Sequence, residues 1–129
     1  KADYIFMAAA VSDYMPANTS EIKMKRSNDT LSLDLIPAPD ILKSIHDKTS
    51  AIITAFALET HNGEKEAKRK MKQKDVDFIV LNYANEEGTG FDSSTNHVTI
   101  YNKNGKSREL KKDRKDRVAK KIIEYILES

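Results

Sequence analysis

The sequence predicts a three-layer α/β fold. Two observations carry this. Three apolar runs, Tyr4–Met7, Ala51–Ala57 and Val76–Leu81, show almost no polar alternation, the pattern of strands covered on both faces. Between them lie segments of helical period, and strand–helix–strand succession implies parallel strands joined by right-handed crossovers. The expected architecture is a Rossmann-like parallel sheet, with an antiparallel β-ribbon flap inserted after the first strand and a β-hairpin near the C-terminus.

The first strand is placed near residues 4–10. It starts with Tyr4, Ile5, Phe6 and Met7, then shrinks to Ala8, Ala9 and Ala10, followed by Asp13. Small residues at the carboxyl end of a central strand let a ligand approach the main chain, and such strand ends border the ligand crevice of open α/β sheets. Glu21–Lys25 and Leu31–Leu35 alternate apolar and polar residues around Ser27-Asn28-Asp29, which reads as a two-stranded ribbon with one apolar face. Pro37-Ala38-Pro39-Asp40 opens a helix whose stripe is Ile41, Leu42 and Ile45. The second strand is expected at 51–57. A helix over Glu64–Lys74 follows, with Ala67 and Met71 inward and Lys70 and Lys74 sharing a face. The third strand lies near 77–82 and stops at Asn82. Tyr83–Thr95 is a polar loop containing Gly88 and Gly90. His97–Tyr101 and Ser107–Leu110 then flank the turn signal Asn104-Gly105. The last helix carries Val118, Ala119, Ile122, Ile123, Ile126 and Leu127 as its core stripe, with Asp113 expected as its cap.

Composition narrows the function classes. A length of 129 residues, 39% hydrophobic and 33% charged, fits one water-soluble domain. No apolar run approaches the ~20 residues of a membrane span, and no signal peptide opens the chain. Cysteine is absent, which removes disulfides and thiolate metal sites and suits a cytoplasmic protein. The net charge of +2 is small for a nucleic-acid binder, and the basic run 68–74 lacks the interleaved aromatics of single-strand binders. No partner nucleic acid and no membrane are therefore expected. The most buried strand begins almost at Lys1, so the chain reads as the C-terminal portion of a larger domain whose upstream half is absent.

No glycine-rich phosphate loop occurs. His46, His61 and His97 are scattered and read as surface histidines. What remains is a set of residues at strand and helix ends: Ala8 to Ala10 with Asp13, Asp40 at a helix start, Phe56 at the end of the second strand, and Lys70 and Lys74. Each has a plain alternative, since Phe56 also suits a core, the lysines a solvated face and Asp13 a turn. Their convergence on one sheet edge favours a ligand site.

The ordered motifs Ala8-Ala-Ala-Val-Ser-Asp13-Tyr, Lys23-Met-Lys-Arg26, Pro39-Asp-Ile-Leu42, Ala55-Phe-Ala-Leu-Glu-Thr60, Lys70 to Lys74 with Asp77, and Gly90-Phe-Asp-Ser-Ser-Thr-Asn96 carry a resemblance. The chain resembles the phosphopantothenate–cysteine ligase family of coenzyme A biosynthesis, in many bacteria the C-terminal half of a bifunctional flavoprotein. The resemblance implies CTP as co-substrate and Mg²⁺ as cofactor. The carboxylate of 4′-phosphopantothenate becomes an acyl-cytidylate, pyrophosphate leaves, and the amine of cysteine then displaces CMP. It implies a nucleotide site of Ala8, Ala9, Ala10, Asp13, Lys23, Pro39, Asp40, Ile41, Leu42, Phe56, Lys70 and Lys74. Lys23 is implied as a catalytic residue on a mobile flap, the assembly as a homodimer, and no metal ligand is assigned. Two departures stand out. Ala55 occupies a position where the family usually has glycine, and no residue matches the family's upstream asparagine. The segment alone is expected to be inactive, and a non-catalytic nucleotide-binding and dimerisation module is the alternative reading.

Overall fold

The computed structural model describes residues 1–26, 28, 30–83 and 93–129. In chain order the elements are β1 (Tyr4–Met7), β2 (Tyr14–Pro16), β3 (Leu35–Pro37), α1 (Ile41–His46), β4 (Ile52–Glu59), α2 (Gly63–Lys74), β5 (Phe78–Tyr83), β6 (Thr95–Asn102), β7 (Ser107–Arg114) and α3 (Lys115–Leu127). The main sheet has the order β1-β4-β5-β6-β7. β1, β4 and β5 run parallel, and β6 and β7 are antiparallel additions.

Strand alternation splits the core into two layers. Ile53, Ala55 and Ala57 of β4 and Ile79 and Leu81 of β5 face one side, where they pack with Leu42 of α1 and with Ala67 and Met71 of α2. Phe78 and Val80 of β5 and Val98 and Ile100 of β6 face the other, against Val118, Ile122 and Ile126 of α3. The expected three layers and all three parallel strands are present. At the β6–β7 turn Gly105 has φ +83°, where glycine is unstrained, and the Asn102 carboxamide oxygen accepts from Asn104 N at 3.1 Å and Lys106 N at 2.9 Å.

Three expectations need correction. The first strand stops at Met7. Ala8 N–H turns back to the Phe6 carbonyl at 3.2 Å, so the alanines form a loop beyond the strand end. The ribbon exists, but its ladder joins Tyr14–Pro16 to Leu35–Pro37 instead of 21–25 to 31–35. Residues 21–25 and 31–34 form no strand, and Ile22, Met24, Leu31 and Leu33 are 61–81% exposed. A two-stranded ribbon is marginal unless its apolar face is covered, and among the described residues nothing covers this one. Residues 27 and 29 of the expected turn, and Gly88 and Gly90 of the expected loop, lie outside the described residues. Finally, the cap of α3 is Arg114, without a side-chain cap bond. Asp113 instead accepts from Lys121 Nζ and from Arg114 N, each at 2.8 Å, and faces Arg117 at 3.7 Å. The Lys121 hydrogen bond, more than any other contact, holds its carboxyl below the usual carboxylate range.

Candidate functional site

The carboxyl ends of β1, β4 and β5 open into a cavity of about 640 Å³. It is lined by Met7, which ends β1, by the small side chains of Ala8 to Ala10 beyond it, and by Ala55 to Leu58 along β4. The sheet supplies this geometry because parallel strands end together on one side, leaving a crevice that only loops and helix ends can close. Val11 to Asp13 and Ala38 to Leu42 form one wall, and Lys70 and Lys74 of α2 face it. The wall is tied across by Ala38 N–H donating to the Asp13 carbonyl at 2.9 Å, immediately below the β2–β3 ladder. The described residues of the 17–34 excursion therefore start and end at the cavity rim, closed at their base by Ala17 N–H to the Asp34 carbonyl at 2.8 Å.

Of the residues expected at the nucleotide site, Ala8, Ala9, Ala10, Asp13, Pro39, Asp40, Ile41, Leu42, Phe56, Lys70 and Lys74 all line this cavity. Lys23 does not. It sits exposed and outside any strand within the 17–34 excursion. Phe56 is half-buried and also packs against the α3-side core, so its two readings are compatible. Leu42 is 4% exposed and serves the α1 side of the core.

The two α2 lysines in the cavity are paired. Lys70 Nζ lies 2.5 Å from Glu59 Oε1, and Lys74 Nζ lies 3.8 Å from Asp40 Oδ2. Asp40 is the N-cap of α1, its carboxylate accepting from Lys43 N at 3.2 Å. That bond uses one of the few free N–H groups of a six-residue helix, so the lysines, more than the helix end, supply the positive field here. Among the described residues no group of three or more acidic, histidine or cysteine side chains could hold a metal ion. The histidines stay out of the cavity. His46 Nε2 pairs with Asp75 at 3.1 Å, and His97 Nε2 with Glu109 at 2.8 Å.

Among the lining residues that sequence reasoning missed are Asn82 near the end of β5, Asn96 at the start of β6, and Lys115 at the start of α3. The two asparagines are joined, Asn96 Nδ2 donating to Asn82 Oδ1 at 2.7 Å. A polar side chain ending an apolar strand was the available signal for Asn82.

The comparisons with known proteins agree with this geometry. The family model "DNA/pantothenate metabolism flavoprotein C-terminal domain" matches residues 1–129. The coenzyme A biosynthesis bifunctional protein CoaBC of Bacillus subtilis is 38% identical over 110 residues, which is 84% of this chain and 27% of that protein. A cysteine/cysteine sulfinic acid decarboxylase from an unknown prokaryotic organism is 36% identical over 129 residues, 98% of this chain and 36% of the relative. Among solved structures, the C-terminal domain of a CoaBC protein superposes with a TM-score of 0.72 at 30% identity, over 96% of this chain and 53% of that one. The chain thus spans about a third of the length of these curated relatives and about half of that domain. With the whole chain matched and the sheet order, helix layers and strand-end cavity in place, this protein belongs to the family of DNA/pantothenate metabolism flavoprotein C-terminal domains.

Proposed function

We propose that this chain is the nucleotide-binding part of a phosphopantothenate–cysteine ligase, and that it works in coenzyme A biosynthesis in the cytoplasm as a homodimer. The observation that carries the reading is the single cavity gathering every expected nucleotide residue except Lys23. The names of the CoaBC relatives point the same way. Among the described residues no helix is long and apolar enough to cross a membrane. The chain covers 53% of the solved CoaBC C-terminal domain, and in this reading the remainder of the active site corresponds to the part of such a domain that the match leaves uncovered.

In this reading CTP lies across the alanine floor, with its phosphates against α2. Lys70 and Lys74 exchange Glu59 and Asp40 for phosphate oxygens. The Lys74–Asp40 pair is solvent-accessible, and ion pairs of this kind contribute about 1 kcal/mol or less, so a polyanion displaces it readily; the Lys70–Glu59 pair is more buried and yields less readily. The carboxylate of 4′-phosphopantothenate attacks the α-phosphorus of CTP and pyrophosphate leaves. The cysteine amine then attacks the acyl carbon and CMP leaves, giving 4′-phosphopantothenoylcysteine. The first step brings two anions together, so fixed positive charge that acts on the developing transition state lowers its barrier. The donor set, two carboxylates (Asp13 and Asp40) with no dedicated cage, fits a Mg²⁺ ion that is held mainly by substrate phosphates. Bound there, Mg²⁺ supplies charge neutralisation at the phosphoryl oxygens. Lys23 acts when the 17–34 excursion folds over the rim, which also excludes water from the acyl-nucleotide.

The test uses CTP titration and steady-state turnover on the complete ligase. Lys74→Gln is expected to weaken CTP binding by roughly 1–3 kcal/mol, the range for a lost charge-assisted contact. Lys23→Gln is expected to lower turnover more than affinity, since closure adds contacts in the transition state. Wild-type turnover in Lys23→Gln removes the flap from the mechanism. CTP binding without ligation by the complete protein favours the alternative, a non-catalytic nucleotide-binding and dimerisation module.

A further inference from the structure

We propose that Asn82 and Asn96 form a hydrogen-bond-donor subsite at the α3-side end of the cavity, built for an oxygen group that accepts but does not donate: a carboxylate or a ring carbonyl. The inference rests on the cavity being the nucleotide and acid site.

The orientation of both carboxamides follows from one fixed donor. The backbone N–H of His97 can only donate, and it points to Asn96 Oδ1 at 3.1 Å. That places the NH₂ group of Asn96 on the other branch, where it donates to Asn82 at 2.7 Å. The Asn82 atom receiving it is therefore the oxygen, and the NH₂ of Asn82 is left on its outer branch. Each asparagine has one acceptor oxygen and two N–H donors. Both oxygens are engaged within the protein. Among the described residues the two N–H groups of Asn82 and the second of Asn96 have no protein acceptor. Both residues line the cavity.

The sheet holds this pair in place. Asn82 stands opposite Val98 in the β5–β6 ladder, so Asn96, two residues before Val98, is its diagonal cross-strand neighbour on the same face. The β6–β7 register shifts between Asn96 and Val98: β6 advances from 96 to 98 while β7 retreats from 113 to 110. A bulge of this kind re-aims side chains at the rim of a sheet. Lys70 and Lys74 belong to α2, on the opposite face of the sheet from α3. The cavity thus has the paired lysines of α2 on one side, suited to phosphate, and on the α3 side the carboxamide N–H donors, where Lys115 also lines the wall and adds positive charge that favours an acceptor. A hydroxyl or amine would turn its own hydrogen toward groups that can only donate, whereas a carboxylate or carbonyl oxygen accepts from them.

The experiment follows the side-chain NH₂ resonances of Asn82 and Asn96 in the ¹⁵N-labelled chain. They are assigned from Asn82→Ala and Asn96→Ala, and titrated separately with CTP and with 4′-phosphopantothenate. The expected result is that one probe shifts both NH₂ pairs and that Asn82→Ala raises the dissociation constant of that probe about tenfold, one lost hydrogen bond, leaving the other probe within twofold. Movement with 4′-phosphopantothenate assigns the carboxylate, and movement with CTP the ring carbonyl. Asn82→Asp keeps the shape and swaps the donor for an acceptor, so it is expected to bind that probe no better than Asn82→Ala. Circular dichroism of each variant controls for folding. Unmoved NH₂ resonances and wild-type affinity in Asn82→Ala, with a probe bound in a Lys74-dependent manner, overturn the subsite alone. Absence of any cavity response to either probe overturns the nucleotide reading and the subsite together.

Discussion

Asp77 shows how much one side chain can fasten. Its Oδ2 accepts from Ile53 N at 2.9 Å, its own N–H donates to the Ile53 carbonyl at 3.0 Å, and its carbonyl accepts from Lys103 N at 3.0 Å. Its Oδ1 also holds the Lys103 ammonium. The starts of β4 and β5 and the β6–β7 turn thus meet on one carboxylate. Asp77→Ala is expected to destabilise the fold by about 1.5–3 kcal/mol, the range for hydrogen bonds to charged groups, measured by urea unfolding. The Asp77 hydrogen bond, with its charge second, raises the Lys103 pKa above 10.5. That contribution is complete below 10.5 and is lost as the pH rises through the higher folded value. Stability should therefore fall on the alkaline limb in the wild type, and Asp77→Ala should flatten that fall; an unchanged slope would mean the pair adds nothing. Asp77 was legible only as part of a family motif, because nothing in a local pattern says that a carboxylate preceding a strand reaches back to another strand. Asn82 and Asn96 escaped for a related reason: their partnership exists only once β5 and β6 are in register.

Elements differ in how openly the sequence declares them. β4 and β5 were readable because burial on both faces leaves a continuous apolar run. β7 extends through Lys111–Arg114, beyond its expected end, since an edge strand keeps its ladder through the backbone whatever its outward side chains. The ribbon was misplaced because alternation specifies an apolar face without specifying a cover. Ile22, Met24, Leu31 and Leu33 stand exposed on the 17–34 excursion, and burying such a side chain is worth about 1.5–3 kcal/mol. A second copy of the chain is the expected cover. Light scattering should find a dimer at about 100 μM, well above the range of specific dimer affinities. The Ile22→Asp/Leu33→Asp variant should be monomeric with an unchanged circular dichroism spectrum. A monomeric wild type at that concentration would rule this interface out.

For the whole molecule, the fold class was legible because three layers follow from the alternation of buried strands and amphipathic helices. The position of the cavity was legible as well, because strand ends in such sheets share one side. The sheet order carries a further meaning in time. Neighbouring strands lie close in sequence at the β7 edge, where five residues (102–106) separate the ladder partners Tyr101 and Ser107, and far apart at the β1 edge, where Met7 pairs with Ala55. Closing a longer loop costs more chain entropy before any contact repays it. The β6–β7 hairpin is therefore placed early on the folding route and the docking of β1 late. The cavity, walled by the residues that follow β1, is completed after the rate-limiting barrier. A ligand there should act as a brake on unfolding and leave the refolding rate alone. Stopped-flow chevrons with saturating CTP should show only the unfolding limb displaced; an accelerated refolding limb would place β1 inside the transition state.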